Sequence, residues 1–324
     1  MGAMASGDRD AARSPAARLV QVLGIALSVG GLAFVVRAIA VRWDGIRGDV
    51  AGLSAGWLLG GLAAAAAGMT LIAVRWRASV RLAGGELDPA DALALYFRGE
   101  VAKYVPGGVW AVVGRAELAR RRGLPWRVAY ASVTLSLLAL YAGAAATAAA
   151  LAPAVLGYSA WGWALWVGGT VLLAGALLGG GLAEVTSRPA LAGRMVLPGP
   201  GALARLVVGY VPAWLLIGAA TWCVARSLAG EAPFAKVLFA TAVSWLAGFL
   251  AVPAPGGIGV REAVFVAVLG PLPGDVTAAV AVLARLVFMV TDAAGALVAS
   301  VRWWRPAPSG AGDDERPGQG AEHP

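Results

Sequence analysis

Seven ionisable side chains lie within or beside long apolar stretches of this chain: Arg98, Glu100 and Lys103, then Arg261 and Glu262, then Arg285 and Asp292. A charge near the centre of a bilayer costs ~2.5–3.5 kcal/mol on insertion scales, so such groups are either paired inside the protein or line a polar path. Glu100 and Lys103 are three residues apart, close enough on one helix to neutralise each other. Arg285 and Asp292 are seven apart, about two turns along one face, so each needs a partner from elsewhere. Arg261 and Glu262 follow a helix break and can sit near an interface. Two readings stay open: structural ion pairs, or a hydrophilic groove.

Five of these charges flank two similar breaks, Lys103-Tyr-Val-Pro-Gly-Gly108 and Pro253-Ala-Pro-Gly-Gly-Ile-Gly-Val-Arg-Glu262. Val237 to Val260 carries no charge and is long enough to cross a ~30 Å hydrocarbon core, yet Pro253, Pro255, Gly256, Gly257 and Gly259 interrupt it. Broken backbone survives at membrane depth only where protein buries it or where it lines a polar cavity. Sliding one stretch over the other by 149 residues superposes Gly99 on Gly248, Pro106 on Pro255, Gly107 on Gly256 and Gly108 on Gly257. A break repeated in both halves of a membrane protein points to a midplane site built by discontinuous helices. Each new helix would begin with unpaired N–H groups that suit a phosphate, and the glycines would let it approach the backbone closely. A plain turn is the simpler reading of either motif taken alone.

Composition fixes the class that must hold these groups. Hydrophobic residues make up 59% of 324 and charged residues 14%, against roughly 45–50% and 25% in soluble domains, so the chain is an all-α polytopic membrane protein. The net charge of +8 reflects arginines between apolar segments and not a nucleic-acid surface. The one cysteine, Cys223, lies in an apolar run, and the one histidine, His323, in a polar tail, so disulfide, zinc and histidine chemistry are not expected and no cofactor is implied.

Full spans are expected at 19–36, 53–74, 128–151, 161–183, 206–225 and 276–301, about six in all, with two re-entrant or broken Pro-Gly-Gly hairpins between them. Asp88-Pro-Ala-Asp91 has the form of a helix start leading to the first hairpin. Residues 1–17 and 306–324 are expected to be disordered, leaving 18–305 as one domain with half-repeats of roughly 18–152 and 161–305. Re-entrant hairpins and a cytoplasmic N-terminus place Arg75, Arg77, Arg81, Arg120-Arg-Arg122 and the C-terminal arginines inside, and the uncharged loop 152–160 outside. The hairpins then enter from opposite sides, as an inverted repeat with both termini cytoplasmic. The alternative has each hairpin complete a crossing with its neighbour, giving eight nominal spans.

The two Pro-Gly-Gly stretches, with Arg115, resemble the signature segments of the lysylphosphatidylglycerol synthase transmembrane-region family over roughly residues 18–305. The resemblance implies a lipid flippase domain without the soluble synthase domain, working in a bacterial plasma membrane on a phospholipid or polyprenyl-phosphate lipid with a charged or glycosylated headgroup. It places the headgroup phosphate near Lys103, Arg115 and Arg261, with Tyr104, Pro106, Gly107, Gly108, Pro255, Gly256 and Gly257 forming the breaks. Arg98, Glu100, Glu262, Arg285 and Asp292 complete the substrate-binding set. No ATP-binding motif is present, so movement would be downhill or ion-coupled, and no catalytic or metal-binding residue is assigned. A non-transporting partner or regulator of a lipid-linked glycosyltransferase is the main alternative, and an intramembrane lipid-modifying enzyme a lesser one. Membrane lipids are the expected partners, a membrane enzyme a further possible one.

Overall fold

Close backbone contact between two helices organises the protein. Helix α1 (Ala55–Leu82) and helix α5 (Pro200–Ala229) meet along a seam of small residues. A Cβ on Gly61 would stand 3.2 Å from the Ala220 carbonyl oxygen, and one on Gly68 3.3 Å from that of Ala213. Arg75 crosses the bare face of Gly209, and its Nη2 donates to the Arg205 carbonyl at 3.3 Å. Rising numbers on α1 meet falling numbers on α5, so the two run antiparallel. Lipid tails are as apolar as leucine, so helices in a membrane associate by van der Waals contact, and small residues let backbones come close enough to gain it.

The computed structural model describes residues 53–100, 103, 110–157, 168, 198–251, 257 and 259–302. The expected spans 19–36 and 161–183 (apart from Gly168), both tails, and Tyr104, Pro106, Gly107, Gly108, Pro255 and Gly256 lie outside the described residues. The described residues form eight α-helices and one short 3-10 turn. Besides α1 and α5 these are α2 (Pro89–Glu100), α3 (Trp110–Arg120), α4 (Trp126–Leu156), α6 (Phe234–Leu250), α7 (Val260–Leu269) and α8 (Thr277–Arg302). Four of them, α1, α4, α5 and α8, are long and apolar enough to cross a membrane.

Local chemistry sets the ends. Asp88 caps α2, accepting from the Ala90 N–H at 2.8 Å with Pro89 as first helical residue. Helix α4 stops at Gly157, whose φ of 68° is left-handed, and α5 stops at Gly230. Helix α1 continues beyond the expected span end at Val74, because its arginines are accommodated without ending it. Trp76 and Val80 are fully buried, and the Arg77 Nε donates to the Leu87 carbonyl at 2.7 Å.

The order long, short, break, short, long occurs twice, as α1, α2, α3, α4 and again as α5, α6, α7, α8. Adding 149 to Trp110, the start of α3, gives Gly259, one residue before α7 begins. The packing repeats as well. Contacts α2–α8 and α6–α4 are counterparts, as are α1–α4 and α5–α8, α4–α5 and α8–α1, α1–α2 and α5–α6, α2–α3 and α6–α7, and α3–α4 and α7–α8, while α1–α5 is its own counterpart. The two breaks therefore lie at equivalent places in the two halves.

Candidate functional site

The first break brings four charges together. Helix α2 ends at Glu100, and α3 returns so that Arg115, 6% exposed, faces it. Gly99 permits this approach, since a Cβ there would lie 3.1 Å from the Arg115 Cβ. The Arg115 guanidinium bonds Glu100 Oε1 and lies over the rings of Tyr96 at 4.5 Å and Trp76 at 5.7 Å. Lys103 Nζ donates to Glu100 Oε2 at 2.9 Å, which realises the three-residue pair expected from spacing. The same ammonium lies 2.7 Å from Oδ2 of Asp292 on α8, a residue that is fully buried. A carboxylate seated that deep requires a cation, and the opposite half supplies it. Two acids and two bases make this cluster neutral.

Arg98 binds the end of α8. Its Nη2 reaches the Ala299 carbonyl at 3.0 Å near the end of α8, a favourable place for a cation because the last carbonyls of a helix have no intrahelical partner. One turn earlier Gly295 receives the Phe97 ring directly against its backbone. Helix α2 is thus clamped to α8 by Arg98 and Phe97, and Lys103, just past its end, adds a third level.

The second break builds a different arrangement. Arg261 lies 3.6 Å over the Trp245 ring, and its stem passes against Gly248 and Gly257, where any side chain would collide with it. Gly248 is the counterpart of Gly99, so both halves use a glycine to admit the arginine of the returning helix. Glu262 is 5% exposed and belongs to the interior, not to the solvated interface position open to it from sequence. It accepts from Arg285 Nη1 at 2.7 Å and from the Gly259 N–H at 2.7 Å. One of the helix-start donors expected to hold a phosphate is therefore already taken by the chain's own carboxylate.

Beside this pair, between α5, α6, α7 and α8, opens a cleft of about 310 Å³ including its mouth. Arg261, Glu262 and Arg285 give its wall a net positive charge, and Thr221, Thr241, Ser244, Trp245, Phe265 and Phe288 complete the lining. The three hydroxyl residues were not singled out from sequence. The available signal was the three-residue spacing of Thr241 and Ser244 beside Trp245, which puts them on one face of an otherwise apolar helix.

Aromatic side chains pack where α4, α5, α6 and α8 meet. Tyr141 stacks on Phe249 with ring centroids 3.8 Å apart, and Trp214, Trp245 and Phe288 continue edge to face at 5.5 and 5.4 Å. Tyr141 lies within electrostatic reach of Arg261, Glu100, Lys103 and Arg115. Among the described residues no three His, Cys, Asp or Glu side chains are grouped to hold a metal ion. Cys223 packs beside Gly60 and Gly61 at the α1–α5 seam, as a small side chain at a close helix approach.

The sequence over residues 21–299 matches the family described as Lysylphosphatidylglycerol synthase TM region. No curated protein matches the chain. The match covers most of the chain, which therefore belongs to that family.

Proposed function

We propose that this member of the lysylphosphatidylglycerol synthase transmembrane-region family moves a lipid with a charged or glycosylated headgroup, a phospholipid or a polyprenyl-phosphate lipid, between the leaflets of a bacterial plasma membrane. The observation that carries the reading is the Lys103–Asp292 bridge. A fully buried carboxylate on a membrane-length helix is matched by an ammonium from the broken helix of the other half. Ion pairs that served stability alone would be replaceable by apolar packing of similar volume at little cost. Charges gathered where a broken helix meets a membrane-length helix of the other half are what a headgroup needs to cross the apolar interior.

Two features support an inverted repeat. The helix contacts pair off when the halves are exchanged, and the self-paired helices α1 and α5 run antiparallel. A two-fold relation between antiparallel membrane helices has its axis in the membrane plane. Rocking one half on the other would then expose the charged interior to each side in turn. The neutral cluster at the first break would accept the headgroup by exchanging partners, the net positive cleft at the second by adding an anion. Both termini are cytoplasmic in this reading, and the chain is a carrier with no catalytic group of its own.

The test is leaflet exchange in liposomes that contain the purified protein and fluorescent anionic, aminoacylated or polyprenyl-phosphate lipids. Wild type should accelerate exchange of one class, and Lys103→Ala and Glu262→Ala should each lose most of it. Folded protein that moves none of these lipids, or variants as active as wild type, would transfer support to a partner or regulatory role.

A further inference from the structure

The cleft at the second break carries more information than its charge. Thr221 Oγ1 donates to the Ile217 carbonyl at 3.2 Å, Thr241 Oγ1 to that of Val237 at 2.7 Å, and Ser244 Oγ to that of Thr241 at 2.9 Å. A hydroxyl has one proton and two lone pairs. With the proton directed at its own helix one turn back, each oxygen presents acceptors only. All three residues are buried, and all three line the cleft that Arg261 and Arg285 also line. Guanidinium groups are donors only. The cleft thus offers donors on one wall and hydroxyl acceptors on another. An anion alone would use the first wall and leave the second idle. A quaternary ammonium beside a phosphate would place methyl groups against the oxygens.

We infer that this cleft selects phospholipids whose headgroups carry N–H or O–H donors next to the phosphate, with Thr221, Thr241 and Ser244 as the selecting residues. The inference rests on the translocation reading for the nature of its ligand. Arg261 and Arg285 meet the phosphodiester, and the three hydroxyl oxygens and Glu262 meet the amine or hydroxyl beyond it. Choline lacks a donor and is disfavoured, whereas ethanolamine, glycerol and aminoacyl headgroups satisfy both walls.

Phosphatidylethanolamine and its mono-, di- and trimethylated forms lower the donor count stepwise from three to none at constant headgroup charge. Their retention on the purified full chain is read by native mass spectrometry from equimolar mixtures. Retention should fall along the series, by about tenfold in all, the worth of one to two ordinary hydrogen bonds. In the triple variant Thr221→Val, Thr241→Val, Ser244→Ala the four lipids should be retained alike. Thr291→Val removes the same kind of intrahelical bond, to the Val287 carbonyl at 2.8 Å, from a residue outside the cleft lining, and should keep the wild-type series. Equal retention of all four lipids by wild type, or a series that survives in the triple variant, overturns the assignment. Displacement of the lipid by millimolar phosphoethanolamine would overturn the lipid as ligand in favour of a soluble phosphate compound; lipid that stays bound supports it. Leaflet exchange is measured separately. Donor-dependent retention without exchange supports the selection and sinks translocation, while exchange that ignores methylation sinks the selection.

Discussion

Breaking the bridge between the halves at Lys103 and Asp292 should reveal a coupling of defined size. The ammonium lies 2.7 Å from Asp292 Oδ2 and 2.9 Å from Glu100 Oε2, with the lysine side chain 22% exposed and that of Asp292 1% exposed. Removing one partner of a buried pair costs about 3–5 kcal/mol. The partial exposure of Lys103 moves the expectation for Lys103→Met toward the lower end, about 3 kcal/mol. Asp292→Asn should cost less, about 1–2 kcal/mol, because Lys103 keeps Glu100 and some access to a polar medium. The double variant should then be more stable than the sum predicts, by about 1.5–3 kcal/mol, the worth of a charge-assisted hydrogen bond. Reversible unfolding of the purified protein in mixed micelles, read by tryptophan fluorescence, gives the four stabilities of the cycle. Glu100 supplies an internal comparison, since Arg115 also bonds it and its coupling to Lys103 should be smaller. Effects that add within about 0.5 kcal/mol would refute a direct bridge.

Three further outcomes follow from single contacts. Gly248→Leu should push Arg261 off Trp245 and destabilise by about 1–3 kcal/mol, as overpacking does, with a matching change in tryptophan emission; unchanged emission and stability would contradict the close approach. Tyr210→Phe removes one member of the buried Ser136–Tyr210 hydroxyl pair at 2.7 Å and should cost about 1–3 kcal/mol, with Ser136→Ala in the same chain recovering part of it in thermal unfolding. Gly295→Val should displace Phe97 and loosen α2 from α8, seen as faster amide hydrogen exchange across 89–100 while α4 stays protected.

The candidate site was partly legible because some of its features are local. Pro-Gly-Gly interrupts a helix wherever it stands, and Glu100 reaches Lys103 because three residues bring side chains to one face. The sequence also showed that Arg285 and Asp292 needed distant partners without naming them. The hydroxyls of the cleft escaped notice because serine and threonine are ordinary in membrane helices, where they bond their own backbone, and nothing local separates those that face a cleft from those that do not.

Composition and apolar length determined that the chain is helical and crosses a membrane, and the 149-residue recurrence marked two equivalent breaks, since hydrophobicity, proline and glycine act on their own segment. Tertiary structure decided the partners. Asp292 finds Lys103 in the other half, Arg98 finds the Ala299 carbonyl 201 residues away, and Arg285 finds Glu262 on the preceding helix, α7. It also decided that α1 and α5 run antiparallel, through glycines set against carbonyls. Such choices depend on which helix faces come within a few ångströms of each other, a property of the packed assembly and not of any one segment.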